Sequence, residues 1–253
     1  MPKFCPSNLS VYGIVRNRKP FQYTLAFTCY YIKKDTTVTN EYTARLEKCY
    51  TGVIHDVMRA MGLKNFTAPK EIRPIFADRI LTGPVFTING KVDKAASEYD
   101  TLLAWTGLLS KAKAGHVWVC QPNDDSVAHM GELSAETLQS KGVRGAIADG
   151  AIRDVNFLLK MGFQAWSRGF TPRDIVSYWL PVSRDETITI GDVSIDPGDY
   201  CIGDRDGLIF IPANYIKEIL TKAEETMNTE NLIRNAILDG TDPQVAYLRY
   251  GKF

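Results

Sequence analysis

Apolar positions recur at three- and four-residue steps from Arg45 onward, at Leu46, Cys49, Tyr50, Val53, Ile54, Val57, Met58 and Met61. That spacing lays one apolar stripe along a helix, which Gly62 closes. Ile80 to Ile88 reads as a strand interrupted by Gly83-Pro84, with Asn89-Gly90 as a turn. A helix over Glu98 to Lys111 leads into the uninterrupted apolar run His116 to Cys120, a buried strand. A strand–loop–helix rhythm follows: a helix from Gly131 through Ser140, a short strand Gly145 to Asp149, a helix Val155 to Met161 and a strand Gln164 to Trp166. Alternation then dominates. Thr187 to Ile190 and Val193 to Ile195 flank Gly191-Asp192 as a hairpin. Tyr200 to Ile202 and Leu208 to Ile211 are short strands, and a long helix begins near Pro212.

Helices and strands thus mix throughout, without a Pro/Ser-rich linker. The expected fold class is α/β, with one domain over residues 41–225, an N-terminal arm over 1–40 and a C-terminal helical tail over 226–253. Composition agrees: 45% hydrophobic and 23% charged residues describe a chain that folds around a core. A net charge of +1 gives no electrostatic footprint for nucleic acid or an acidic membrane surface. The longest apolar stretch, Tyr23 to Ile32, is too short to span a bilayer, and no small-residue cleavage site follows it. The five cysteines are scattered without a CxxC pair, which argues against a zinc site or a disulfide framework and for idle thiols in a reducing cytoplasm.

Two segments carry candidate chemistry. Gly131-Glu132-Leu133-Ser134 is a glycine running directly into a helix, whose unpaired N–H groups and positive dipole end suit a carboxylate or phosphate; a glycine that merely turns the chain fits equally. Asp149-Gly150-Ala151-Ile152-Arg153-Asp154 follows an apolar strand and precedes a helix, the position where open α/β sheets gather ligands. There Arg153 can clamp a carboxylate by two hydrogen bonds and Asp154 can hold a hard cation; a local salt bridge at the helix start is the alternative. Asp204 and Asp206 in GDRDG read as a tight turn between strands, Asp124-Asp125 as loop acids, Trp166 as core and Arg168 as a surface charge.

Glu132, twenty intervening residues and Arg153-Asp154 together resemble the signature of the RraA-like proteins, class II pyruvate aldolases related to regulator of ribonuclease activity A. The stretch MGELSAETLQSKGVRGAIADGAIRDV is similar to that family's core segment, IRPIFADRILTGPVFTI to its upstream strand, PGDYCIGDRDGLIFIP to its downstream strand pair and GVIHDVMRAMG to its first helix. The resemblance runs from Leu46 to Glu225.

It implies a compact α-β-β-α sandwich that assembles into trimers or hexamers with active sites at subunit interfaces. It further implies that the backbone of Gly131, Glu132, Leu133 and Ser134 holds the substrate carboxylate and that Arg153 contacts the pyruvyl part. Asp154 is then the one protein ligand of Mg²⁺ or Mn²⁺, and Glu132 orients a water as proton carrier. The implied activity is retro-aldol cleavage or decarboxylation of a small-molecule 2-oxo acid such as 4-hydroxy-4-methyl-2-oxoglutarate or oxaloacetate. One departure stands out: many aldolases of the family carry an acid three positions after the metal-binding Asp, where this chain has Phe157. A non-catalytic regulator that binds a protein partner such as a ribonuclease is the other role the family offers.

Overall fold

The structure, a computed structural model, describes residues 40–251; the N-terminal arm up to residue 39, with the apolar stretch Tyr23 to Ile32, lies outside the described residues. In chain order the elements are α1 (Glu41–Leu46), α2 (Thr51–Ala60), β1 (Arg73–Pro74), β2 (Leu81–Val92), α3 (Glu98–Leu109), β3 (Val117–Gln121), α4 (Glu132–Ser140), β4 (Gly145–Ala148), β5 (Ala151–Ile152) and α5 (Val155–Met161). There follow β6 (Ala165–Ser167), β7 (Gly169–Phe170), β8 (Trp179–Arg184), β9 (Ile188–Ile190), β10 (Val193–Ile195), β11 (Tyr200–Gly203), β12 (Leu208–Ile211), α6 (Ile216–Leu238) and α7 (Pro243–Tyr250).

The long strand β2 organises the sheet. It pairs in parallel with β3, and the parallel run continues through β4 to β6, with β1 antiparallel at the edge. The first part of β2 also pairs antiparallel with β11, which carries β12, and its last part pairs antiparallel with β8. Strand alternation then sorts side chains into layers. Phe86 and Ile88 of β2, Trp118 and Cys120 of β3, and Ala146 and Ala148 of β4 face a core formed with α3, α4 and α5. Their neighbours Val85, Val117, Val119 and Ile147 face a second core, shared with Cys201, Phe210 and the β9–β10 hairpin. On the outer side of β11 and β12, Ile202, Ile209 and Ile211 meet α1, α2 and α6. Helices outside two packed β layers make the expected α-β-β-α sandwich.

Three expectations need correction. The apolar stripe from Arg45 to Met61 is two helices, because Thr51 turns away at the break: its N–H and hydroxyl donate to the two oxygens of Asp204, both at 2.8 Å. Asp204 is therefore a helix cap as well as part of a strand turn. Gly83-Pro84 does not interrupt β2, and Asn89-Gly90 is not a turn but a register shift within it. The reason lies at Gly90, where a Cβ would stand 1.8 Å from the Trp179 ring; the indole covers the bare Cα and donates to Pro122 O at 2.8 Å. The long helix expected from near Pro212 is α6, which continues past residue 225 and is followed by α7.

Candidate active site

The parallel strands β3, β4 and β6 all discharge their chains at one end of the sheet, and the loops after them are stitched together by backbone hydrogen bonds. His129 N–H donates to Ala151 O at 2.9 Å, Arg153 N–H to Met130 O at 2.9 Å, Ala128 N–H to Arg173 O at 2.8 Å and Thr171 N–H to Ile152 O at 3.1 Å. With the short parallel ladder of β5 and β7, these bonds hold residues 128–131, 150–154 and 169–174 as one unit. The Gly131 and Arg153-Asp154 segments, separate in sequence, meet here.

Gly131 is the N-cap of α4 and has no side chain to cap with. Asp154 does that work from twenty-two residues away, its Oδ2 accepting the Glu132 N–H at 3.1 Å. By helix geometry the N–H groups of Leu133 and Ser134 have no acceptor one turn back and sit at the positive end of the helix dipole. The Ser134 hydroxyl is already engaged, accepting from Trp105 Nε1 at 2.9 Å. A Cβ on Gly131 would lie 2.7 Å from Asp154 Oδ2 and 3.2 Å from Arg153 Nε, so the bare Cα is what lets the pair sit against the helix start.

Asp154 opens α5 in the left-handed region (φ 57, ψ 31), a conformation that Asp and Asn adopt more readily than other side chains. Arg153 Nε stands 3.4 Å from Asp154 Oδ2, and Arg153 Nη1 stands 3.4 Å from Asp174 Oδ2. One guanidinium thus lies between two partly exposed carboxylates, a trio of net charge −1. Sequence reasoning missed Asp174; no motif marks it, and it reaches the site through loop-to-loop bonding.

The donor set fits a hard divalent cation. Oδ1 of Asp154 accepts no hydrogen bond among the described residues, and a dication beside the trio turns its charge from −1 to +1, which an anionic ligand then balances. Among the described residues no three His, Cys, Asp or Glu side chains cluster as a metal site. A cation here would have one protein carboxylate and complete its shell with water and ligand oxygens, as suits Mg²⁺.

The other polar groups of these loops pair with one another. Arg168 is no free surface charge: its Nε donates to Asp149 Oδ1 at 2.6 Å. Burial pushes the Asp149 carboxyl above the usual carboxylate range, and the Arg168 charge and hydrogen bond pull it part of the way back. Asp124 turns inward to accept the N–H groups of Ser126 and Val127. Trp166 is core, as expected. Phe157 in α5 is 48% exposed, Leu133 in the first turn of α4 is 76% exposed and Phe170 of β7, paired with Ile152, is 65% exposed. The described cysteines, Cys49, Cys120 and Cys201, are buried and unpaired. Among the described residues no helix is long and apolar enough to cross a membrane.

A family model described as RraA-like, Aldolase/RraA, matches residues 51–210. An uncharacterized protein of Methanocaldococcus jannaschii is 28% identical over 201 residues, 74% of this chain and 92% of the relative. A protein of Halalkalibacterium halodurans, provisionally named as a 4-hydroxy-4-methyl-2-oxoglutarate aldolase, is 26% identical over 192 residues, 74% of this chain and 85% of the relative. Among solved structures, Streptomyces coelicolor RraAS2, described as an unusual member of the RNase ES inhibitor RraA family, superposes with a TM-score of 0.68 at 23% identity, covering 77% of this chain and 96% of that one. At that identity the likeness is one of fold.

Proposed function

The chain belongs to the RraA-like family, whose model spans residues 51–210, and on that premise we propose that it is a divalent-cation-dependent lyase that converts a 2-oxo acid to pyruvate by retro-aldol cleavage or decarboxylation. The observation that carries the reading is the Arg153–Asp154 pair seated on the bare Cα of Gly131 at the start of α4. The relative provisionally named as an aldolase supports it.

In this reading Arg153 offers the open edge of a planar guanidinium to the oxygens of a 2-oxo acid, and the N–H groups of Leu133 and Ser134 receive its carboxylate. Asp154 holds Mg²⁺ or Mn²⁺, which supplies Lewis-acid stabilisation of oxyanion charge when bound. As the C3–C4 bond breaks, its electron pair forms the C2–C3 double bond and negative charge moves to the C2 oxygen. The Arg153 cation beside that oxygen is preorganised to receive it. Glu132, whose carboxylate accepts no hydrogen bond among the described residues, orients the water that carries the 4-hydroxyl proton to C3, releasing pyruvate. For oxaloacetate the departing fragment is CO₂, and the C3 proton comes from solvent.

We place the enzyme in the cytoplasm, where its buried thiols stay reduced, and as a homotrimer or hexamer, because exposed Leu133, Phe157 and Phe170 beside the site suit burial against a second copy. The same exposed Phe157 favours a second reading, a non-catalytic regulator that docks a protein partner such as a ribonuclease. Pyruvate release from oxaloacetate and from 4-hydroxy-4-methyl-2-oxoglutarate, with Mg²⁺ and then with excess EDTA, decides between them. Chelator-sensitive release from either substrate supports the lyase; no release above the metal-only background from both removes it and leaves the regulator.

A further inference from the structure

We propose that Asp174 is a positioning residue of this site, fixing the Arg153 guanidinium by its Nη1 end and setting the charge that an incoming anion meets. The loop that carries it is tied into the site at both flanks, by Thr171 N–H on Ile152 O at 3.1 Å and by Ala128 N–H on Arg173 O at 2.8 Å. The carboxylate itself is anchored: Oδ1 accepts the Val176 N–H at 3.2 Å, leaving Oδ2 to face Arg153 Nη1 at 3.4 Å. The adjacent cation does not compete for it, since the Arg173 guanidinium lies over the Tyr178 ring, 5.3 Å from its centroid.

An arginine arm has four rotatable torsions and loses much freedom when a ligand orders it. Here Asp154 engages Nε and Asp174 engages Nη1, so the arm is ordered beforehand and Nη2 is left as the donor edge for a ligand. The second carboxylate also gives the trio its net charge of −1. Without Asp174 the trio is neutral, so a bare anion would bind more readily while the arm that must meet the reacting oxygen would wander.

The kinetic arm of the test rests on the lyase reading; the spectroscopic arm rests on geometry alone. In ¹⁵N-edited spectra of the guanidinium groups, with Arg153→Lys to assign the signal, the Arg153 resonance of the parent protein should show slowed rotation. Asp174→Asn should return it to the averaged form of a free arginine, and Asp174→Glu should keep the slowed form. Oxalate, titrated without metal, should bind Asp174→Asn about three- to fivefold more tightly, the size expected for removing a partly exposed charge. Turnover of the 2-oxo acid should fall about tenfold in kcat with KM not raised, the pattern of lost orientation. An Arg153 signal, oxalate affinity and kcat all unchanged in Asp174→Asn would overturn the proposal. If the parent protein turns over no 2-oxo acid, the lyase reading falls, and the resonance and the oxalate titration still judge Asp174.

Discussion

Oδ2 of Asp154 accepts the backbone N–H of Glu132 at 3.1 Å, so the residue that opens α5 also caps α4. A helix normally supplies its own N-cap oxygen; here Gly131 cannot, and the cap arrives from another loop. The arrangement leaves the helix start open on one side, with a carboxylate and a guanidinium where a capping side chain would have stood. The start of α4 is left open by withholding a local cap and replacing it with a distant one.

Asp154 is best probed by Asp154→Asn. With φ 57 the position disfavours most side chains, and Asn is among the few that tolerate it, so the variant removes charge without adding backbone strain. Chelator-sensitive pyruvate release should fall by about a hundredfold or more, as when a group that meets developing charge is lost, while the thermal midpoint stays within a few degrees of the parent. Full activity in this variant would refute the metal assignment.

Gly131→Ala tests the close approach. The backbone there is extended (φ −152), so alanine brings no conformational penalty, only a methyl 2.7 Å from Asp154 Oδ2 and 3.1 Å from Arg153 Cγ. The pair must shift, and kcat/KM should drop by roughly 10- to 100-fold, as expected for a displaced constellation. Circular dichroism and the melting midpoint should scarcely move; a large stability loss with intact activity per folded molecule would contradict the role given to this glycine.

The same contrast between local and distant interactions explains what the sequence revealed. Helix α5 and the β9–β10 hairpin were legible because their signals are local: apolar spacing in one, alternation around Gly191-Asp192 in the other. The break between α1 and α2 was not, because it is set by Asp204, 153 residues away from Thr51. Strand β8 was missed since its half-exposed face blurs the alternation. In the site, Gly131 and Arg153-Asp154 announce themselves by residue type beside a helix start, whereas Asp174 has meaning only once the backbone bonds between loops carry it to Arg153.

Gly90 carries a structural prediction. A Cβ there would meet three atoms of the Trp179 indole at 1.8 to 2.5 Å, and that ring is fully buried with its N–H committed to Pro122. Gly90→Ala should therefore cost about 3 kcal/mol, the upper end for overpacking a core, and lower the melting midpoint by roughly 10 °C in a chain of this size. Differential scanning calorimetry reads it directly; an unchanged midpoint would mean that β2 and β8 can part without cost.

His129 gives stability a dependence on pH. Its ring is fully buried, edge-on to Trp179 with centroids 5.0 Å apart, and neither ring nitrogen has a hydrogen-bond partner among the described residues. Burial holds it neutral and lowers its pKa from 6.5 to about 4, although Asp124 and Asp125 favour the proton and Asp124 Oδ2 lies 3.9 Å from Nε2. The unfolded chain takes up a proton at pH values where the folded chain refuses it. Stability from this group is thus complete above pH 6.5 and is lost as pH falls from 6.5 towards 4, by an amount on the order of 3 kcal/mol at the acid end. Asp149 and Asp199, whose carboxyls burial raises, act in the opposite sense, so the comparison must be between variants. His129→Leu removes the linkage and two unpaired polar atoms together. Denaturant titrations from pH 4 to 7 should show the parent losing stability more steeply than His129→Leu; parallel curves would mean that His129 takes up its proton in the folded protein as readily as in the unfolded chain.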